Sequence, residues 1–119
     1  MKSKHDKINK QYANKLKGMD KILVNHEYKN HKNTKVIGEI DCFTYRITPT
    51  QNIAYAIETK STHTSKQRRK ALSQLGRAED KFLPRYQRDN KIKFDKFVWL
   101  YATKTGIKCE GVTYLNKHL

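Results

Sequence analysis

The sequence predicts an α/β domain in which a mixed central β-sheet is flanked by helices, in the order αβββαβ. Two patterns with the period of a helix enclose three strand patterns, and a continuous apolar strand follows the second helix. Elements in this order form a sheet with helices packed on its faces. The length of 119 residues fits a single core. We therefore expect residues 1–119 to form one domain with one functional site.

The first helix is predicted near the start of the chain. Ile8, Tyr12 and Leu16 recur every four residues among Lys, Asn and Gln, which is typical of an amphipathic helix. Gly18 stands where a left-handed C-terminal cap is expected. Residues 21–28 then contain a short aliphatic run and predict the first strand.

Two further strands are predicted as a hairpin. Residues 36–47 contain β-branched and aromatic residues throughout, and residues 48–52 are turn formers. Residues 53–60 form the second strand. A connection of about five residues is compatible with a β-hairpin, so we expect these two strands to pair.

The second helix is predicted from residue 64 to residue 83. Apolar residues recur there with the period of a helix and form one stripe. They are Ala71, Leu75, Ala78 and Phe82, with Leu72 beside them. Proline disfavours helical backbone at the residue before it. Because Pro84 follows, the helix is expected to end near Leu83.

The remaining residues predict one buried strand and one further strand. Within residues 94–103 every position from Phe97 to Tyr101 is apolar. Such an unbroken run is typical of a strand packed on both faces. A last strand is predicted near residues 108–115.

The charge balance points to a polyanionic partner. Lys and Arg number 26 against 11 Asp and Glu, a formal net charge of +15. Such an excess is typical of nucleic-acid-binding proteins. No segment approaches the roughly 20 apolar residues of a membrane span, and the first ten residues have no apolar stretch typical of a signal peptide. The sequence predicts a cytoplasmic protein without a membrane partner, associated with nucleoid, viral or mobile-element DNA.

Cysteine and histidine give little support to a zinc site. Cys42 and Cys109 are far apart and lack a nearby second cysteine. Both are expected to be buried free thiols. His26 and His31 have no cysteine near them and are expected to be exposed.

The chemistry is expected at the end of the third strand. Side chains alternate across a strand, so Glu58 and Lys60 point to the same face. Glu39 and Asp41 share a face of the preceding strand by the same rule, and strand pairing can bring Asp41 near Glu58. Two neighbouring carboxylates favour a hard divalent cation such as Mg²⁺. With a lysine beside them, they supply what phosphodiester hydrolysis needs.

Two short motifs in this region resemble those of a known family. Residues 38–41 read Gly-Glu-Ile-Asp and resemble a Gly-x-Ile-Asp motif, and residues 57–61 read Ile-Glu-Thr-Lys-Ser and resemble a Glu-x-Lys motif. Together they resemble the PD-(D/E)xK nuclease superfamily, and most closely the archaeal-type Holliday junction resolvases and RecB-like nucleases. The resemblance covers roughly residues 22–82. It implies a restriction-endonuclease-like core.

The resemblance also implies roles for individual residues. Asp41 and Glu58 would bind Mg²⁺ or Mn²⁺ together with the main-chain carbonyl of Thr59. Lys60 would orient or activate the attacking water. Gln74, which is followed by a leucine, matches a glutamine that the family often carries in the next helix.

Some alternatives stay open. Gln67 competes with Gln74, which is as compatible with a plain surface glutamine. Resolvases usually carry a glutamate in the first helix, and none occurs between Met1 and Gly18. Glu27 or Asp6 are substitutes for it, and Glu39 is either a further acid or a surface partner of a lysine.

The second helix is strongly basic at its start. Its positive side chains form either a solvated face or a surface that neutralises backbone phosphates. They are Lys66, Arg68, Arg69, Lys70 and Arg77, and Arg85 and Arg88 extend the patch.

The sequence therefore predicts a structure-selective DNA endonuclease, similar to a Holliday junction resolvase and homodimeric by that resemblance. Its preferred DNA would be branched. A RecB-like nuclease acting on single strands or ends is the near alternative. A noncatalytic basic nucleic-acid-binding protein, or a ribosome-associated protein, would also explain the charge.

Overall fold

The computed structural model describes residues 19–61 and 64–115. This part of the chain forms a five-stranded mixed sheet with helices packed against it. The predicted α/β class is thereby confirmed. The predicted first helix around Ile8, Tyr12 and Leu16, and with it Asp6, lies outside the described residues.

The strands follow one another across the sheet in chain order, β1-β2-β3-β4-β5. Only β3 and β4 are parallel, and every other neighbouring pair is antiparallel. The predicted bounds agree with these strands to within two residues. The strands are β1 Lys21–Lys29, β2 Val36–Ile47, β3 Asn52–Thr59, β4 Lys96–Thr103 and β5 Gly106–Tyr114.

A long helical segment connects β3 to β4, as a parallel pair requires. It consists of α1 (Ser65–Arg77), a π-helical segment (Ala78–Phe82) and α2 (Leu83–Asn90). The Thr64 side chain accepts a hydrogen bond from the Gln67 N–H and caps the start of α1.

The predicted end of this helix near Leu83 is wrong, because the helical segment continues to Asn90. The Leu83 N–H donates to the carbonyl of Ala78, five residues earlier. This wider turn comes directly before Pro84, which occupies the first turn of α2. Proline has no N–H to donate, so the helical hydrogen bonding lacks a donor at position 84 while the segment continues through it.

The helices pack on one face of the sheet and bury the stripe predicted for them. Ala71, Leu75, Ala78 and Phe82 are all buried. An aromatic cluster centred on Phe43 forms the middle of this core. The rings of Phe82, Tyr86 and Phe94 lie with centroids 5.0, 5.0 and 6.2 Å from that of Phe43.

Strand β4 is packed on both faces, as predicted. Phe97 is buried in the core on the helix side. Ala102 and Leu100 instead pack with Cys42 and Ile57 in a second cluster. This double burial accounts for the unbroken apolar run in the sequence.

The thiols and histidines agree with expectation only in part. Cys42 is buried and free, and burial raises its pKa to about 12, so that its thiol is protonated at neutral pH. Cys109 is also free but exposed, because it lies on the edge strand β5. His31 is exposed, whereas His26 is half-buried against the ring of Phe82. Neither helix in the described ranges combines the length and the hydrophobicity needed to cross a membrane.

Candidate active site

The candidate site lies where β2 and β3 separate. The two strands pair from Ile47 opposite Asn52 as far as Cys42 opposite Ile57. Beyond that pair, the Oδ2 of Asp41 accepts a hydrogen bond from the backbone N–H of Thr59, at 2.8 Å. A side-chain carboxylate thus satisfies a buried strand donor where the ladder ends.

Strict alternation along β2 is interrupted beside this carboxylate. Ile40 and Phe43 both contact the helix-side core, although an odd number of positions separates them. On β1, Asn25 adopts φ 52° between residues that pair with Ile40 and Cys42. Parity alone therefore does not set the orientation of Asp41, which is 3% exposed.

Glu58 is the most unusual residue of the site. It is fully buried on the helix side of β3, the side that carries Ala54 and Ala56. Among the described residues, neither oxygen of its carboxyl group has a hydrogen bond of good geometry, and its nearest polar neighbours are the side chain and backbone of Asp41. Burial, then the charge of the adjacent Asp41 and a weak side-chain hydrogen bond with it, raise the pKa of Glu58 to about 10, although the ammonium of Lys60 and the backbone of Asp41 oppose the shift. This carboxyl group is therefore protonated at neutral pH.

Lys60 and Gln74 meet across the interface between β3 and α1. The Lys60 Nζ donates a hydrogen bond to the Gln74 Oε1 at 2.8 Å. Gln67, the competing candidate, lies in the first turn of α1, where its backbone N–H binds the capping Thr64. The structure therefore brings Gln74 to the lysine.

Tyr28 is a site residue that the sequence reasoning missed. Its ring lies over Gly38, and a Cβ at position 38 would overlap that ring. The Tyr28 pKa is raised, first by burial and also by the charge of Glu58, while Arg77 lowers it. The hydroxyl therefore lies in the field of both groups. An aromatic residue opposite a glycine on a neighbouring strand was the available signal, and it explains why a glycine precedes Asp41 by three positions.

The structure does not bring the candidate additional acids to the pair. Glu27 and Glu39 lie opposite each other on β1 and β2, and both are exposed. In residues 19–61 and 64–115, no three or more His, Cys, Asp or Glu side chains form a group that could hold a metal ion. The acidic part of the site, so far as the structure describes it, is Asp41 with Glu58.

The basic residues of α1 are exposed, as a phosphate-binding face requires. One of them is engaged within the protein, because Arg68 donates from Nε and Nη2 to both oxygens of Glu110 on β5, at 3.3 and 2.7 Å. The other predicted phosphate-binding residues are Lys66, Arg69, Lys70 and Arg77.

The donor set suits a hard divalent cation. Such ions prefer carboxylate and carbonyl oxygens, and a buried carboxyl group without a hydrogen-bond donor is otherwise costly. Asp41 and Glu58 could supply the carboxylates, and Thr59 between Glu58 and Lys60 could supply a backbone carbonyl. A cation bound by these oxygens would replace the proton on Glu58.

Comparisons with known proteins add no relative from which a function could be transferred. No family model matches the chain, and neither a curated protein nor a solved structure shows a significant match.

Proposed function

We propose that this protein is a metal-dependent DNA endonuclease that hydrolyses phosphodiester bonds, with a preference for branched DNA such as a Holliday junction. One observation carries the proposal. A fully buried carboxyl group without a hydrogen bond of good geometry, Glu58, lies beside a second buried acid, Asp41, and near an ammonium group. Groups with strongly shifted pKa values in such a setting are typical of functional sites.

Asp41, Glu58 and the main-chain carbonyl of Thr59 are the proposed ligands of Mg²⁺ or Mn²⁺. When bound, such an ion supplies positive charge for the developing negative charge on phosphate and lowers the pKa of a bound water. The hydrogen bond from the Thr59 N–H to Asp41 fixes one ligand in place. Fixed ligands reduce the reorganisation that a reaction would otherwise require.

Lys60 supplies a second positive charge. Its ammonium has three donors, and one of them is directed to the Gln74 Oε1. The remaining donors can orient the attacking water or neutralise a nonbridging phosphate oxygen. Gln74 therefore acts as a positioning residue for the lysine.

Binding to DNA would depend mainly on phosphates. The formal charge of +15 and the exposed basic face of α1 favour contacts with the sugar-phosphate backbone. Affinity should then fall steeply with salt. A homodimer would place one such site on each of two strands of a junction.

Two other functions remain distinct from this one. A nuclease acting on single strands or ends would use the same carboxylates on a different DNA. A noncatalytic basic nucleic-acid-binding protein would bind DNA regardless of Glu58 and would not cleave it in Mn²⁺.

The deciding experiment is cleavage of labelled junction, flap, single-stranded and duplex DNA in Mn²⁺. We expect symmetric cleavage of the junction by the wild type, and rates lower by roughly 10³-fold in the Asp41→Asn and Lys60→Ala variants. Two exposed residues provide matched controls, Asp80→Asn for the acid and Lys93→Ala for the lysine, and both should keep wild-type rates.

The results separate the alternatives. Equal cleavage of junction and linear duplex would remove the preference for branched DNA. Cleavage confined to single strands or ends would identify the alternative nuclease. No cleavage of any substrate in Mn²⁺ or Mg²⁺, with binding preserved in Glu58→Ala, would replace the proposal with the noncatalytic protein.

A further inference from the structure

A groove of about 460 Å³ lies beside the candidate active site, between the edge strand β1 and the helical segment. Its lining comes from β1 on one side and from the π-helical segment and α2 on the other. The volume is that of a small-ligand site, and it is large enough for a nucleoside but too small for a double helix.

Three aromatic side chains, His26, Phe82 and Tyr86, form the part of the groove lining that we call its floor. His26 and Tyr86 line it and are half-buried, with Phe82 between them at centroid distances of 5.4 Å from each. The cluster is held in place because Phe82 and Tyr86 also pack on Phe43 in the core. Burial lowers the pKa of His26, so its imidazole is neutral at pH 7. A fixed apolar floor of this kind suits a flat aromatic ligand.

The rim of the groove is basic. Lys29, Lys81 and Arg85 line it, and the Arg85 Nη1 donates to the carbonyl of Lys29 at 3.0 Å. This hydrogen bond holds the guanidinium at the junction of β1 and α2 while its other N–H groups remain available to an anion. The lining also includes the acids Glu27 and Asp89, fewer than the basic residues. A ligand here would combine a flat ring with negative charge.

Tyr28 connects the groove to the region of Asp41 and Glu58. The Tyr28 side chain lines the groove, and its hydroxyl is in the field of Glu58. A strand with a base in the groove would therefore pass within one side chain of the acids.

We propose that the groove binds an unpaired nucleobase of a single-stranded nucleic-acid segment, with the flanking phosphates on Lys29 and Arg85. Base stacking on aromatic side chains combined with backbone contacts to cations is the general mode of single-strand binding. Paired bases in a duplex expose no face to such a floor. The base-binding role stands on the groove alone. We also infer that the bound segment leads towards a phosphate cleaved at Asp41 and Glu58, and this part rests on the proposed function.

The test compares two labelled strands of about 15 nucleotides, one of thymidine and one abasic with the same phosphates, by fluorescence anisotropy in EDTA. We expect the wild type to bind the thymidine strand at least about fivefold more tightly, the lower end of what one stacked base contributes. His26→Ala should reduce this ratio towards one and leave the affinity for the abasic strand unchanged. Arg85→Gln should lower the affinity for both the thymidine and the abasic oligonucleotide.

Lys108→Ala is the matched control, since it removes an exposed positive charge on β5, the edge of the sheet opposite β1. It should leave the ratio unchanged. The wild-type ratio needs no variant, so a folding defect in His26→Ala does not prevent the test. Equal affinity for the two strands would overturn the proposal, and so would displacement of the thymidine strand by an acidic peptide as readily as by unlabelled strand.

Cleavage in Mn²⁺ distinguishes the two proposals from each other. A preference for bases without any cleavage would support the groove and contradict the nuclease. Cleavage without a preference for bases would support the nuclease and contradict the groove proposal.

Discussion

The carboxyl groups beside the two ends of strand β3 differ in their hydrogen bonding. At its start, the Asp95 Oδ2 accepts from the Asn52 N–H at 2.7 Å, and the Asp95 N–H donates to the Asn52 carbonyl at 2.8 Å. At its end, Asp41 accepts in the same way from Thr59. Asp95 is half-buried and Asp41 is buried, and both accept a hydrogen bond from a strand N–H, which the buried Glu58 does not do with good geometry. The difference between Asp41 and Glu58 is therefore a property of position and not of burial alone.

The largest effect on stability is expected at the satisfied end. Asp95→Ala leaves the Asn52 N–H without its acceptor and should lower the free energy of unfolding by about 2 kcal/mol. Urea denaturation measures this loss. Cleavage by the folded fraction should change little, and a strong loss of cleavage would show that the two ends are not independent.

At the other end of β3, substitution of Glu58 should raise the free energy of unfolding instead of lowering it. Glu58→Gln removes a carboxyl group that costs free energy to ionise in the folded state, so it should raise the free energy of unfolding at pH 8 by about 1 kcal/mol or more. Cleavage should be abolished. Asp80→Asn, at an acid of the π-helical segment whose side chain is 74% exposed, provides the control and should change neither quantity. A less stable Glu58→Gln protein would contradict the comparison.

The pH dependence sharpens the same point. The folded-state pKa of Glu58, about 10, lies above its ordinary value of 4.5. Between these two values the unfolded protein releases the Glu58 proton and the folded protein keeps it. The free energy of unfolding is therefore highest below pH 4.5 and falls as the pH rises towards 10. The wild type should thus lose stability relative to Glu58→Gln between pH 5 and about 9.

Thermal unfolding in a series of buffers measures this difference. Saturating Mn²⁺ should reduce the pH dependence of this difference, because a bound cation replaces the proton on Glu58. Parallel curves for the two proteins without metal would show that Glu58 ionises normally.

The smallest effect is expected at the contact between β3 and α1. Gln74→Ala removes the acceptor of the Lys60 ammonium and should lower the free energy of unfolding by only about 0.5 kcal/mol. Cleavage should fall by roughly tenfold, since the lysine loses its orientation. Gln67→Ala, on the same helix, retains its capping N–H and should match the wild type. Equal rates in both variants would remove Gln74 from the site.

Patterns in the sequence predicted the elements well because periodicity records which side of an element is buried. The bounds of β2 follow from its run of β-branched and aromatic residues. The buried stripe of the helical segment follows from the helical period, and the shared face of Glu58 and Lys60 from alternation. The roles assigned to those site residues remain predictions.

The helix end was misjudged for a physical reason that local rules omit. Pro84 was expected to stop the helix, but a π-helical turn widens the backbone before it. That turn places Phe82 and Leu83 in the core, and the packing they gain outweighs the poorer local geometry.

By itself, the sequence determined the order of strands and helices, the basic character of the protein and the presence of two acids and a lysine near one strand end. Tertiary structure alone decided that Tyr28 covers Gly38, that the carboxyl group of Glu58 is buried without a hydrogen bond of good geometry, and that β1 and α2 enclose a ring-floored groove. The reason is that local patterns report the burial of each element separately. Contacts between elements distant in the chain depend on how they pack together.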